Sequence, residues 1–221
     1  MLEGIKVLSF THYLQGPSAA QALADLGADV VKIEACKGAY ERGWSGCNTY
    51  KNGVSVFYLM ANRNQRDLAI DLKSEEGRET IYTLIRDKGY DVIIENFRPG
   101  VMDKLGLGYE KLKEINPRVV YCSCTGYGSA GPKAKKPGQD LLLQGMSGLA
   151  ALTGPSDHPP MPAGTALVDQ HGAILAALGI VSAVYDRDRT GIGHKVDASL
   201  LGSALDLQIE QIGRASCRER V

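Results

Sequence analysis

Short apolar runs alternate with helix-like stretches along this chain. Residues 5–10 (IKVLSF) form a run too short for a core helix and bounded by turn-forming residues, which predicts a buried strand. Gly16 and Pro17 then open a helix that ends near Gly27. Residues 28–34 (ADVVKIE), 91–95 (DVIIE), 118–124 (RVVYCSC) and 194–199 (HKVDAS) read as further strands. Ser74 is placed to cap a helix with Glu75 and Glu76 in its first turn, an apolar stripe of Ile81, Leu84 and Ile85, and Gly89 at its end. A short helix is expected over about 109–115, and a long helix of small apolar residues after Asp169. Residues 127–162, richer in Gly and Pro, read as loops around one short helix. Strand and helix alternate throughout, so the pattern predicts an α/β fold: an open, largely parallel sheet with helices on both faces.

Composition narrows what such a sheet could serve. The 221 residues suffice for one large domain with a sizeable core. Lys and Arg (25) balance Asp and Glu (25), and one Trp and three Phe offer little for stacking on bases, so no nucleic acid is expected as a partner. The longest apolar stretch, 173–184, is too short for a bilayer and Met1 leads straight into LEGIKVLSF without a signal-peptide pattern. The expectation is a soluble, cytoplasmic protein with no membrane contact. Five irregularly spaced cysteines suit a reducing compartment, and Cys122 with Cys124 lack the further ligands of a metal site. The sheet is Rossmann-like, yet the first strand is followed by THYLQGPSAA, which lacks GxGxxG, so no bound dinucleotide is expected.

Asp169 is the residue with the most chemical promise. It sits where an extended segment enters the long helix, and a carboxylate in a first helical turn is stabilised as the anion. On local sequence alone an ordinary capping Asp is the plainer reading.

Six phrases change that balance. LEGIKVLSFTHYLQGPSAAQALADLGADVVKIE, NRNQRDLAIDLKSEEGRE, ENFRPGVMDKLGLGYEKLKEINPRVVYCS, KKPGQDLLLQGMSGLAALTG, PPMPAGTALVDQHGAILAALGI and RTGIGHKVDASLLGSAL occur in the order found in the family III CoA-transferases, which this chain resembles over about residues 2–204. The resemblance implies CoA transfer from an acyl-CoA to a carboxylic acid, with Asp169 as nucleophile and the CoA thioester as substrate, not as a permanently bound cofactor. An Asp at its ordinary pKa near 3.9 would need no separate base. It further implies that His12, Leu14 and Gln15 lie against CoA, with Gln15 also holding the acyl group. Adenosine and phosphate contacts are implied for Ile70, Asp71, Leu72, Lys73, Asn96, Phe97, Arg98, Lys104, Lys136, Pro137, Gly138 and Gln139. Asp157, among turn formers, is assigned to a turn.

The chain departs from the common family pattern at Ala35, where many relatives carry Arg, and at Lys104, a point charge where the common Arg would offer a bidentate fork. An acyl-CoA racemase branch uses the same Asp with a His as second base. That position is Gln139 here, which cannot exchange a proton, although His171 stands two residues beyond Asp169 as a conceivable substitute. Residues 212–221 (IGRASCRERV) abandon the preceding apolar pattern and resemble a translated sequencing adapter, so a family domain over 1–211 and a non-native tail are expected. Full-length relatives add a second, smaller domain, a glycine-rich lid and an interlocked homodimer. The alternative to an active transferase is therefore a CoA-binding fragment with little turnover.

Overall fold

In chain order the computed structural model runs β1 (Lys6–Phe10), α1 (Gln15–Asp25), β2 (Asp29–Glu34), β3 (Tyr50–Lys51), β4 (Val54–Ser55), α2 (Val56–Ala61), β5 (Arg66–Ala69), α3 (Glu75–Asp87), β6 (Val92–Glu95), α4 (Val101–Lys104), α5 (Tyr109–Ile115), β7 (Val120–Thr125), α6 (Asp140–Met146), α7 (Leu167–Thr190), β8 (Lys195–Ser199) and α8 (Leu200–Asp206). It describes residues 1–155 and 157–211, so the tail expected over 212–221 lies outside the described residues. Six strands form one sheet in the order β5-β2-β1-β6-β7-β8, every pairing parallel. β3 and β4 make a separate antiparallel hairpin.

Both faces of the central strands are buried, which is why they appear in the sequence as continuous apolar runs. Val7, Val30, Val92, Ile94 and Val120 face α1 and α7, where Ala19, Ala20, Leu23, Ala173, Ala176 and Ile180 cover them. Leu8, Phe10, Ile33 and Ile93 point the other way, under Ile81 and Ile85 of α3 and Leu112 of α5. Each fully buried aliphatic side chain contributes about 1.5–3 kcal/mol. Ser74 caps α3 as its position suggests, accepting from Gly77 N at 3.0 Å.

β5 and α2 carried no periodic signal. β5 is an edge strand paired only with β2, and of its residues only Leu68 is even half-buried, so a polar sequence suffices there. α2 is six residues long and relies on Ser55, whose Oγ accepts from Tyr58 N at 3.4 Å.

α7 is longer than its apolar run suggested. Its 24 residues are sufficient in length and composition to cross a membrane, contrary to the sequence expectation. Its buried positions Ala173, Ala176, Ala177, Ile180, Ala183 and Val184 recur at helical spacing and pack against α1 and the sheet, while Val168 packs with Leu143 of α6 and with Leu200 and Ala204 of α8. Arg187, 3% exposed, sets its Nη1 2.9 Å from Asp91 Oδ2 and its Nε 3.1 Å from Asp188 Oδ1, tying the end of α7 to the start of β6.

Candidate functional site

The chain leaves β1 toward β2 and β5 on one side and returns through β6 to β7 and β8 on the other. The loops after β1 and β6 therefore diverge, opening a crevice at the carboxyl ends of the strands. A cleft of about 660 Å³ occupies this place. Leu14 and Gln15 line it from the β1–α1 loop, and Asn96, Phe97 and Arg98 from the loop after β6. Lys136, Pro137, Gly138 and Gln139 precede α6, and Asp169 enters from the first turn of α7. Asn96 spans the crevice floor: its Oδ1 accepts from His12 N at 2.8 Å and its Nδ2 donates to His12 O at 2.7 Å.

Asp169 is half-buried, and its backbone N–H donates to Asp140 Oδ2 at 2.8 Å. Burial first, and then the Asp140 carboxylate, push the Asp169 carboxyl up to about 7. The dipole of α7 acts in the opposite direction. The expectation of a carboxylate at its ordinary pKa is thus corrected, because the first turn of this helix is enclosed and already faces a second acid. Asp140, the first residue of α6, is 7% exposed and also accepts from Gln144 Nε2 at 2.5 Å. Gln144 in turn accepts from Ala163 N at 2.8 Å, holding the segment that leads into α7. Sequence reasoning passed over both, since an Asp and a Gln four apart in a short helix look like an ordinary capped turn.

Gln15 is 4% exposed, and its Nε2 has no hydrogen-bond partner among the described residues. A Cβ at Gly172 would approach that nitrogen to 2.7 Å, so the missing side chain one turn beyond Asp169 makes room for the Gln15 amide. A buried donor left unpaired is uncommon and points to a group that arrives from outside the chain.

The glycines at the mouth are steric necessities. A Cβ on Gly138 would lie 2.3 Å from Gly126 Cα, backbone that cannot swing away. Gly138→Ala is expected to force apart the end of β7 and the stretch before Asp140. The expected cost is about 2–3 kcal/mol, read as a fall of roughly 4–10 °C in melting temperature. An unchanged melting temperature would show that the two segments separate freely.

Several of the residues expected to contact CoA do not line this cleft. Ile70 and Leu72 pack against the core beneath α3, and Asp71 accepts from Lys73 N at 2.9 Å in the turn before α3, so none of these four lines the cleft. Lys104 is exposed on α4 and is likewise absent from the lining. The His12 ring lies behind the loop, 5.3 Å from Phe97 and 3.2 Å from Glu41 Oε1. His171 Nε2 is 2.6 Å from Asp206 Oδ2 and does not line the cleft. Asp157 stands in an exposed turn. Three aromatics that sequence reasoning missed, Tyr13, Trp44 and Phe57, do line it. Trp44 meets Phe57 edge-on at 5.3 Å and Tyr13 at 6.4 Å.

A doubly wound parallel sheet with a carboxylate and an unpaired amide at its switch point is the frame of an α/β enzyme. Residues 2–221 match the model of CoA-transferase family III, and the chain belongs to that family. It is 41% identical to an acyl-CoA transferase of Fusarium pseudograminearum, covering 93% of this chain and 46% of that protein. It is 40% identical to formyl-CoA:oxalate CoA-transferase of Streptomyces coelicolor, covering 93% and 49%. A CAIB/BAIF family protein from Brucella suis superposes with a TM-score of 0.92 at 38% identity, covering 98% of this chain and 57% of that one. Rv3272 from Mycobacterium tuberculosis, in an aspartate-to-alanine variant, gives 0.89 at 32% identity, covering 99% and 58%. The chain spans about half the length of the curated relatives it matches.

Proposed function

We propose that this chain carries the CoA-binding and nucleophilic part of a CoA-transferase that moves CoA from an acyl-CoA to a carboxylic acid. The observation that carries the reading is the Asp169 carboxyl in the cleft, one helical turn from a residue whose lack of a side chain accommodates the unpaired Gln15 amide. The ionised Asp169 oxygen attacks the thioester carbonyl, the C–S bond breaks, and the electron pair leaves with sulfur, giving an acyl-aspartyl anhydride and CoA thiolate. Thiolate attack on the Asp169 carbonyl then releases the first acid and leaves an aspartyl-CoA thioester, from which an incoming carboxylate collects CoA by the reverse steps. Gln15 Nε2 is the donor available to an oxygen that gains charge in these steps, a role worth about 10²–10³ in rate for one such donor. Arg98 and Lys136, exposed at the cleft, suit the phosphates of CoA.

The test is incubation with an acyl-CoA, trapping with hydroxylamine, and peptide mass analysis. Modification of Asp169 with Asp157 untouched is expected, and a label elsewhere would overturn the assignment. Because the chain spans about half of its relatives, CoA binding without transfer is the second reading, decided by measuring both on the same preparation.

Racemisation is not expected, since Gln139 offers no base and His171 is engaged by Asp206. In heavy water, a 2-methyl-branched acyl-CoA without an acceptor acid should keep its α proton. Rapid exchange there would favour the racemase reading.

A further inference from the structure

We infer that Glu41, which lines no part of the cleft, is a positioning residue that fixes the β1–α1 loop and so the placement of Gln15. The inference rests on the role proposed for Gln15. Three successive residues of that loop are each gripped by a different element. Thr11 O accepts from Lys32 Nζ of β2 at 2.7 Å, the His12 backbone is bonded twice to Asn96, and the Tyr13 N–H donates to Glu41 Oε1. Tyr13 has φ 62°, a left-handed conformation that a large side chain adopts only when its surroundings impose it. Glu41 supplies that constraint, and its Oε1 also lies 3.2 Å from His12 Nδ1.

Glu41 is itself immobilised. It is 2% exposed, within the 3-10 turn Tyr40–Arg42. Arg42 Nε donates to Glu34 Oε2 at 2.8 Å and its Nη2 to Asp67 Oδ2 at 2.8 Å, while Tyr58 OH donates to Glu34 Oε1 at 2.6 Å. Glu34 at the end of β2 and Asp67 within β5 thereby hold the turn that holds the loop. Burial raises the Glu41 carboxyl, but its hydrogen bonds to His12 and to backbone N–H groups outweigh this and bring it down to about 2, so it stays an acceptor at any working pH. Two residues past Tyr13 the chain enters α1 with Gln15 at its first position. A loop released at Tyr13 would no longer deliver that amide to the cleft.

The test compares Glu41→Gln with Glu41→Asp in single-turnover release of CoA thiol from an acyl-CoA. Gln keeps an oxygen within reach of Tyr13 N and discards the charge. Asp keeps the charge and withdraws the oxygen by about 1.5 Å. Positioning predicts that Glu41→Gln stays within about fivefold of the native rate while Glu41→Asp falls about 30-fold, with half-saturation moved less than threefold in both. The emission of Trp44, the single Trp of the chain and a neighbour of Tyr13, should shift in Glu41→Asp alone. Glu41→Asp at native rate, or Glu41→Gln as slow as Glu41→Asp, would overturn the inference, as would losses that follow half-saturation instead of rate. Asp169→Asn run alongside separates the two readings: full activity in it removes the mechanism itself, whereas an inactive Asp169→Asn beside a native-rate Glu41→Asp removes only the role of Glu41.

Discussion

Asp169→Asn is expected to abolish CoA transfer and, above pH 7, to make the protein more stable. With Asp169 as the proposed nucleophile, the loss of rate should be at least about 10⁴-fold, because an amide oxygen cannot form the anhydride and removal of a covalent nucleophile has costs of this order. The gain in stability follows from linkage. In the folded chain the Asp169 carboxyl is raised to about 7 by burial and by Asp140, above its unfolded value near 3.8. Between about pH 4 and pH 7 the folded state therefore keeps a proton that the unfolded state has released. Stability falls as pH rises through that window and is level above it, by up to about 4 kcal/mol for a shift of this size. Asn bears no such penalty, and a rise of about 5 °C in melting temperature at pH 8 is expected. Thermal denaturation of both forms at pH 5 and pH 8 checks it: the advantage of Asn should appear at pH 8 and shrink at pH 5. Transfer that survives the substitution would remove Asp169 from the mechanism, and a less stable Asn variant at pH 8 would show that the carboxylate is well solvated or paired.

The second large effect is on the pH profile. In the mechanism proposed above only the anion attacks the thioester, so the rate of acyl-enzyme formation should climb roughly tenfold per pH unit below about 7 and level off above it. Asp140→Asn removes the negative charge facing Asp169 and leaves an oxygen able to accept from Asp169 N. Its profile should move to lower pH, raising the rate at pH 5.5 about three- to tenfold. A midpoint unmoved in Asp140→Asn would leave burial as the whole cause of the shift. A rate independent of pH between 5 and 8 would mean that binding of acyl-CoA, with its own charges, resets the carboxyl.

The central strands and the helices with apolar stripes were legible because each buries a repeating set of positions. Residues 5–10, 28–34 and 91–95 were recognisable as strands for the same reason that Val7 and Leu8 are both buried. β5 was not, since an edge strand of Arg66, Asp67, Leu68 and Ala69 gains its place from backbone pairing with β2, to which side-chain patterns are blind. The position of Asp169 could be read from the family's phrases. Its acidity could not, because that depends first on the enclosure of the helix start by the folded chain and then on Asp140, 29 residues earlier and brought within hydrogen-bond reach only by the return of the chain into α7. Gln15 lines the cleft, whereas Ile70, Asp71, Leu72, Lys73 and Lys104 do not. Glu41 gave no sequence signal at all: a Glu between Tyr and Arg in a loop looks like a solvated charge until the fold encloses it.

α7 joins the two ends of the molecule as a single rigid ruler. Its buried Arg187 is docked against Asp91 where β6 begins, and Asp169 emerges 18 residues away at the carboxyl ends of the strands, about 27 Å along the axis. The alanines of its inner face pack against α1 and the sheet, and a Cβ on Gly172 would press on the Gln15 amide at 2.7 Å and on Ser203 Oγ at 2.9 Å. The reach of the carboxyl into the cleft is therefore gauged from the bottom of the sheet. A slip of one residue along this contact would carry the acid about 1.5 Å past Gln15. The site inherits its tolerances from the packing of the helix that carries it.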